Sequence, residues 1–445
     1  MKFGQLANIK TVRAKMAMLL YRGVCQLADI FGVWRYPADR DPERYDREIL
    51  GRIYWHYKST RPITRAEKGS QLEKYFAETR ARAATSLLPK DFQTRSTVKL
   101  SAVGDLMCAK GLQNSKGKFY AKVADLIFDA DISFANLEST AIPVDAAVRG
   151  PKINATREEF EAFACHATRQ YTVFSTANNH ILDGGIKGLD AIHRQLEGAG
   201  ILCVGTNLAQ EDQRRTLLTS ANEIKIGFVA ATYGVNNRRL IEDKGYLVNV
   251  VPFHRFQGKA DLSLLASQIE FCRSKNCDFI VMSLHWGLEF EFFPRTHQVD
   301  IAHELVELGV DAIISHHTHT IQPYEIYQPQ RDRERKAPIF YGLGNLSSSS
   351  SVAYRSVSLI TNIALAKGLC GGVEKTLVKS IQCIPVQQTS YGRGPDSYLQ
   401  LERLNELISS VDDSLSRDYV DEGAEYADLV LGPSWRHLRS SAKRP

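Results

Sequence analysis

Several features are missing from this chain. Its eight cysteines never form C-x-x-C, and several lie inside apolar runs, where a thiol is a small core residue. A disulfide framework is therefore not expected, and a reducing compartment is favoured. No run reaches the ~18–20 apolar residues that span a bilayer. Lys2, Lys10, Arg13 and Lys15 precede the apolar Met16–Tyr21, but Arg22 cuts that segment short of a secretory core of about 7–15 residues. These absences predict a cytoplasmic protein, with a basic amphipathic helix that permits docking on a membrane surface. No basic stretch is interleaved with aromatics as base stacking requires, so nucleic acid is not an expected partner. Lys116-Gly117-Lys118 fails the phosphate-loop spacing and Phe119 takes the hydroxyl position, which removes nucleotide hydrolysis by that route.

What remains is an ordinary globular composition at unusual length. The 445 residues are 44% hydrophobic and 24% charged, with a formal net charge of +6. The length exceeds one ordinary domain, and the mild positive excess suits an anionic small-molecule or polymer substrate. Residues 1–96 read as a helical accessory region, a candidate dock for a partner protein. Arg13–Phe31 has apolar residues spaced by three and four, and Glu43–Tyr57 and Ala66–Ser86 are charged and amphipathic. From Thr97 strands and helices alternate, which predicts α/β layering over 97–390. Strands are expected at Val98–Gly104, Ile132–Ala135, Thr172–Ala177, Ile201–Gly205, Lys225–Ala231, Phe279–Leu284, Ala312–Ser315 and Pro338–Tyr341, with Val357–Ala366 following a serine run, Ser347–Ser351. Residues 391–445 are expected to hold a helix at Ser397–Ile408 and a loose basic tail.

Polar residues gather just behind these strands, where ligands collect in open α/β sheets. Ser315-His316-His317-Thr318-His319 follows an apolar run, and an extended H-x-H would point both imidazoles to one side. Two neutral imidazoles make half a ligand shell for a divalent transition metal. Gly104-Asp105 closes the first strand, and its glycine is expected to let the backbone turn. Asn136-Leu137-Glu138 closes the second, and Asn178-Asn179-His180 with Asp183 follows another. His285 ends a very apolar strand, with Glu289 close behind as a carboxylate able to orient an imidazole. Gly342-Leu343-Gly344-Asn345 ends the last, its glycines allowing close backbone approach. His166, His193, His254, His297, His303 and His437 lack comparable context.

Taken in order, these segments over roughly residues 97–350 resemble the CapA family of capsule-synthesis, poly-γ-glutamate biosynthesis proteins. That family is similar to a branch of the calcineurin-like metallophosphatases. The resemblance implies a four-layer αββα sandwich with a centre for one or two divalent ions (Mn, Fe or Zn). Asp105, Glu138, Asn179, His285, His317 and His319 would be the metal ligands, Glu138 in the bridging position. His180 would be catalytic, with Asp183 beside it. Asn136, Asn178, Glu289, His316 and Asn345 would orient the ligands or touch substrate. Two departures stand out: Met107 replaces a histidine of the metallophosphatase pattern, and Glu138 replaces an aspartate. The expected activity is metal-assisted hydrolysis of a phosphoester or γ-glutamyl amide bond. The alternatives are a non-catalytic assembly role in polymer synthesis and a degenerate, purely structural site.

Overall fold

The structure, a computed structural model, describes residues 22–38, 49–82, 87–140, 153–236, 244–253, 259–349, 352–411 and 415–437. Met16–Tyr21, residues 43–48 and 83–86 of two expected helices, His254, Ser350, Ser351 and the tail from residue 438 lie outside the described residues.

In chain order the principal elements are α1 (residues 22–30), α2 (Ile49–Lys58), α3 (Leu72–Arg82), β1 (Gln93–Leu106), α4 (Ala124–Phe128), β2 (Ile132–Leu137), α5 (Arg157–Ala164), β3 (Val173–Ser175), α6 (Gly185–Gly198), β4 (Leu202–Val204), β5 (Leu217–Ala221), β6 (Ile224–Thr232), α7 (Ser263–Ser274), β7 (Phe279–His285), α8 (Thr296–Leu308), β8 (Ala312–His316), β9 (Tyr324–Tyr327), β10 (Ala337–Phe340), β11 (Asn345–Ser347), β12 (Val357–Cys370), β13 (Val373–Tyr391), β14 (Tyr398–Arg403), α9 (Leu404–Ser410) and α10 (Arg417–Leu431).

The strands form two mixed sheets. The first runs β14-β13-β12-β1-β2-β3-β4, with β11 also paired to β1; the second runs β9-β10-β8-β7-β6-β5. Within the first, β1, β2, β3 and β4 are mutually parallel, and within the second so are β6, β7, β8 and β10. Helices on one outer face pack on Val103, Ala135, Leu137 and Phe174 of the first sheet. The opposite residues of those strands, Leu100, Ala102, Phe134 and Val173, share one core with Phe228, Val281 and Ile313 of the second sheet. Phe134 stacks on Phe228 with ring centroids 5.7 Å apart across the join. With Leu265 and Ile269 of α7 and Leu305 of α8 in the same core, the architecture is the expected four-layer αββα sandwich.

Two expectations change. Ser397–Ile408 is not one helix: β14 occupies 398–403 and α9 follows. Leu401, Leu404 and Ile408 are spaced as on a helix, yet Leu399, Leu401 and Arg403 alternate with less buried residues, and pairing with β13 selects the period of two. The long strand β13 and the edge strands β5 and β9 carry no strong apolar signal, and they are held by pairing with β12, β6 and β10. The first sheet also crosses the two expected segment boundaries, because β1 starts at Gln93 and β13 runs to Tyr391. Upstream, Ala66, Leu72, Phe76 and Leu87 lie in the common core.

Candidate metal centre

The parallel strands of both sheets end on the same side of the molecule. Asp105 pairs in register with Asn136 and with Asn345, which gathers β1, β2 and β11. In the second sheet His316 pairs with His285, and His285 with Thr232. Asp105, Asn136, His285 and His316 therefore sit where their strands stop, and Asn345 opens β11 beside them. Gly104 has a role other than turning: a Cβ there would lie 2.0 Å from Gly344 O, so its bare backbone lets β1 close on the Gly342–Asn345 loop.

Asn136 Nδ2 donates to Asp105 Oδ1 at 2.8 Å and lies 3.2 Å from His285 Nδ1. His285 Nε2 faces the other way, 2.9 Å from Asn179 Oδ1 and 3.6 Å from Glu138 Oε1. Asp105 Oδ1 lies 3.1 Å from His316 Nδ1, and Asp105 Oδ2 accepts from the His317 backbone N–H at 3.1 Å. His319 Nδ1 is 2.9 Å from Asn345 Oδ1 and 3.9 Å from both Asp105 Oδ2 and Glu138 Oε2. The His317 ring lies 4.8 Å from that of His285 and 6.0 Å from that of His319.

The route by which the tandem imidazoles meet differs from the expectation. His317 and His319 have φ of +89° and +54°, so this is a left-handed turn and not an extended strand. Such conformations cost about 1–3 kcal/mol each and persist where surrounding contacts impose them. Here the Asp105 carboxylate holds the His317 amide and Asn345 holds the His319 ring.

Electrostatics follow from the crowding. Burial pushes His285 well below its ordinary pKa, and the neighbouring His317, His316, His319 and His180 add to it. A neutral imidazole is the form that ligates metal. Burial lifts the Glu138 carboxyl well above its usual range, and the charge of Asp105 reinforces it. Burial also opposes ionisation of Asp105, but bonding and charge from His316, then His319 and Asn136, outweigh it and hold that carboxyl low. Glu138 is fully buried, and neither carboxylate oxygen meets a hydrogen-bond donor among the described residues. An orphaned buried carboxylate is costly unless a cation faces it.

The donor groups fit that need. Ligand atoms of Glu138, His285 and His317 lie within 4.8 Å of one another, and the same holds for Asp105, Glu138 and His319 and for Glu289, His317 and His319. Glu138, His317 and His319 each belong to two of the three groups, and Glu138 is the carboxylate among them. Glu289 was expected to orient an imidazole; its Oε2 accepts instead from the Trp55 indole N–H, while the carboxylate stays in the group with His317 and His319. The remaining expected residues, Asn178, His180 and Asp183, lie in the segment between β3 and α6, Asn178 fully buried. His180 Nδ1 lies 2.7 Å from Asp183 Oδ2. Asn178 does not face the centre with its amide nitrogen: Nδ2 donates to Leu137 O at 2.8 Å, while Oδ1 accepts from the His180 N–H at 3.1 Å. Sequence reasoning missed Asn236, whose N–H donates to Asn179 O at 2.8 Å and whose Nδ2 lies 3.3 Å from His180 Nδ1. Its signal was the one used elsewhere, a polar loop behind the strand that ends at Thr232.

Buried carboxylates, imidazoles and an amide oxygen at the joined ends of two parallel strand sets define an α/β sandwich with a candidate divalent-metal centre. More particularly, the chain belongs to the bacterial capsule synthesis protein family PGA_cap, whose pattern matches residues 99–350. The capsule biosynthesis protein CapA of Bacillus anthracis is 22% identical over 284 residues, covering 60% of this chain and 64% of that protein. The PGA biosynthesis protein CapA of Bacillus subtilis is 26% identical over 220 residues, covering 48% of this chain and 52% of that protein. A probable polyglutamine synthesis accessory protein of Mycobacterium tuberculosis is 29% identical over 220 residues, covering 48% of this chain and 55% of that protein. The chain thus spans between about half and two thirds of the length of these relatives. Among solved structures, the calcineurin-like phosphoesterase YfkN of Bacillus subtilis matches 65% of this chain and 90% of its own chain, at 13% identity and a TM-score of 0.35. Among the described residues no helix is long and apolar enough to cross a membrane.

Proposed function

We propose that this protein is a divalent-metal-dependent hydrolase acting on an anionic substrate, a phosphoester or γ-glutamyl amide, in capsule or poly-γ-glutamate biosynthesis. The observation that carries the reading is Glu138, a buried carboxylate that meets no hydrogen-bond donor among the described residues and is common to two donor groups. Asp105, Glu138 and His319 would hold one ion; Glu138, Asn179, His285 and His317 would hold a second. This mixture of nitrogen and oxygen donors suits Mn, Fe or Zn. Bound ions of this kind acidify water and polarise a phosphoryl or acyl oxygen. The chain's own contribution is orientation and proton transfer. Asn136 fixes the Asp105 carboxylate and one nitrogen of His285. His180, oriented by Asp183, stands at the rim to donate a proton to the leaving group.

Met107 favours a second reading. The thioether stands where the metallophosphatase pattern has an imidazole, so the Asp105 group has one nitrogen donor fewer. A protein that holds a single ion could organise a binding surface for polymer synthesis without turnover, with residues 1–96 engaging a biosynthetic partner. One experiment separates the two. Purified protein is assayed for bound Mn, Fe and Zn and for turnover of phosphomonoester, phosphodiester and γ-glutamyl substrates, alongside His180→Ala. Turnover that His180→Ala lowers by about 10²–10⁴-fold, with metal content unchanged, supports the hydrolase. Metal without turnover supports the assembly role, and protein without metal overturns both.

A further inference from the structure

The family pattern begins at residue 99, yet part of the metal centre is held from upstream of it. The Trp55 indole N–H of α2 donates to Glu289 Oε2. The Trp55 ring meets Phe290 edge-on, with centroids 5.9 Å apart. Eight residues later Ile63 forms a parallel bridge with Glu291. Ile63 N–H donates to Phe290 O and Phe292 N–H donates to Ile63 O, both at 2.9 Å. Ser59 O accepts from Arg355 Nη2 at 3.0 Å, and the Arg355 guanidinium lies 4.1 Å from the Phe290 ring centre.

The gripped residue is itself unusual. Phe290 is buried and has φ +64°, a left-handed conformation that a bulky side chain seldom adopts. Its N–H donates to Thr318 O at 2.8 Å, inside the His317-Thr318-His319 turn, and its ring is 5.9 Å from that of His319. Upstream backbone, strained loop and tandem imidazoles are thus bonded in series. Glu289 sits between them, with a carboxylate oxygen within 4.8 Å of ligand atoms of His317 and His319.

We infer that Trp55 is a positioning residue of the metal centre, and that α2 with the Ser59–Ile63 segment belongs to the site. By taking one oxygen of Glu289, the indole fixes the carboxylate beside His317 and His319. Glu289 thereby becomes a further anionic donor toward a metal in that pocket. The inference rests on the centre binding a divalent cation, as proposed above.

The test measures Mn²⁺ binding by titration calorimetry, together with melting temperature, for the full chain and for Trp55→Phe, Trp55→His and Glu289→Gln. Phenylalanine keeps an aromatic ring and removes the donor, whereas histidine restores a ring N–H. The expected result is Mn²⁺ affinity lowered about 10–100-fold in Trp55→Phe and Glu289→Gln, as for other groups that orient metal ligands. Partial recovery in Trp55→His and metal-free melting temperatures close to the parent complete the expectation. Unchanged affinity in Trp55→Phe and Glu289→Gln overturns the inference while leaving the metal centre standing. Loss of affinity only in step with a lowered melting temperature, without recovery in Trp55→His, overturns it in favour of a structural contact. A parent chain that binds no Mn²⁺ overturns the inference together with the metal-centre reading.

Discussion

At Glu138 burial and charge oppose ionisation, and among the described residues no hydrogen-bond donor offsets them. A cation would. His317 contributes to two of the three donor groups, so His317→Ala removes a ligand and is expected to leave purified protein with less bound metal by elemental analysis. His437 lies at the end of a short turn, Pro433–His437, after α10, and belongs to none of the donor groups. His437→Ala is therefore expected to keep the parent metal content, and equal losses in the two variants would refute the ligand assignment. Asp105, Glu138 and His285 were legible as candidates because each closes an apolar strand. Trp55 was not, because its partner lies 234 residues away and nothing near Trp55 marks it as more than one aromatic on a charged helix.

Single elements are stabilised by local devices that the sequence spells out. Thr156 and Glu159 form a capping box on α5, the Thr156 side chain accepting from the Glu159 N–H and the Glu159 carboxylate accepting from the Thr156 N–H. Thr156→Ala is expected to lower stability by about 1 kcal/mol in urea denaturation, and no change would show the cap to be idle. Between elements the energetics are harsher. Glu291 is buried, its Oε1 3.1 Å from Lys58 Nζ and its Oε2 2.8 Å from Arg295 Nε. Burial alone would raise this carboxyl, but Arg295 and Lys58 outweigh it and hold it below the usual carboxylate range. The sign follows from that depression: the stability is fully present above the unfolded-chain value of ~4.3 and is lost as pH falls through the lower native value. Urea midpoints taken from pH 7 down to pH 3 should fall at the acid end. Glu291→Gln is expected to be less stable by about 3–5 kcal/mol at pH 7, because it takes the carboxylate from buried Lys58 and leaves Arg295 only its pairing with Glu67. A variant matching the parent at every pH would rule this network out.

For the whole molecule, the N-terminal region decides how the chain must be cut. Ala66, Leu72, Phe76 and Leu87 share the core of the sandwich, and the Phe76 ring packs edge-on against Tyr341, 5.5 Å between centroids. Removing residues 1–92 exposes that surface and deletes Lys58 from the Glu291 cluster. The truncated chain is expected to be insoluble or to lack a cooperative thermal transition, read by circular dichroism. A soluble truncated protein with the parent transition would show the upstream helices to be dispensable.

The sequence by itself determined the elements and the donor chemistry. Apolar periodicity follows from the geometry of one helix or one strand, so α6, α8, β7 and β8 could be read from neighbouring residues alone. Polar residues behind apolar strands likewise announced a site at the strand ends. Only the tertiary structure decided that Glu138 belongs to two donor groups, that the tandem imidazoles meet through a left-handed turn, and that α2 reaches Glu289. These depend on sheet register and on the stacking of two sheets. Both are fixed by the joint packing of residues hundreds of positions apart, and no local pattern encodes that packing.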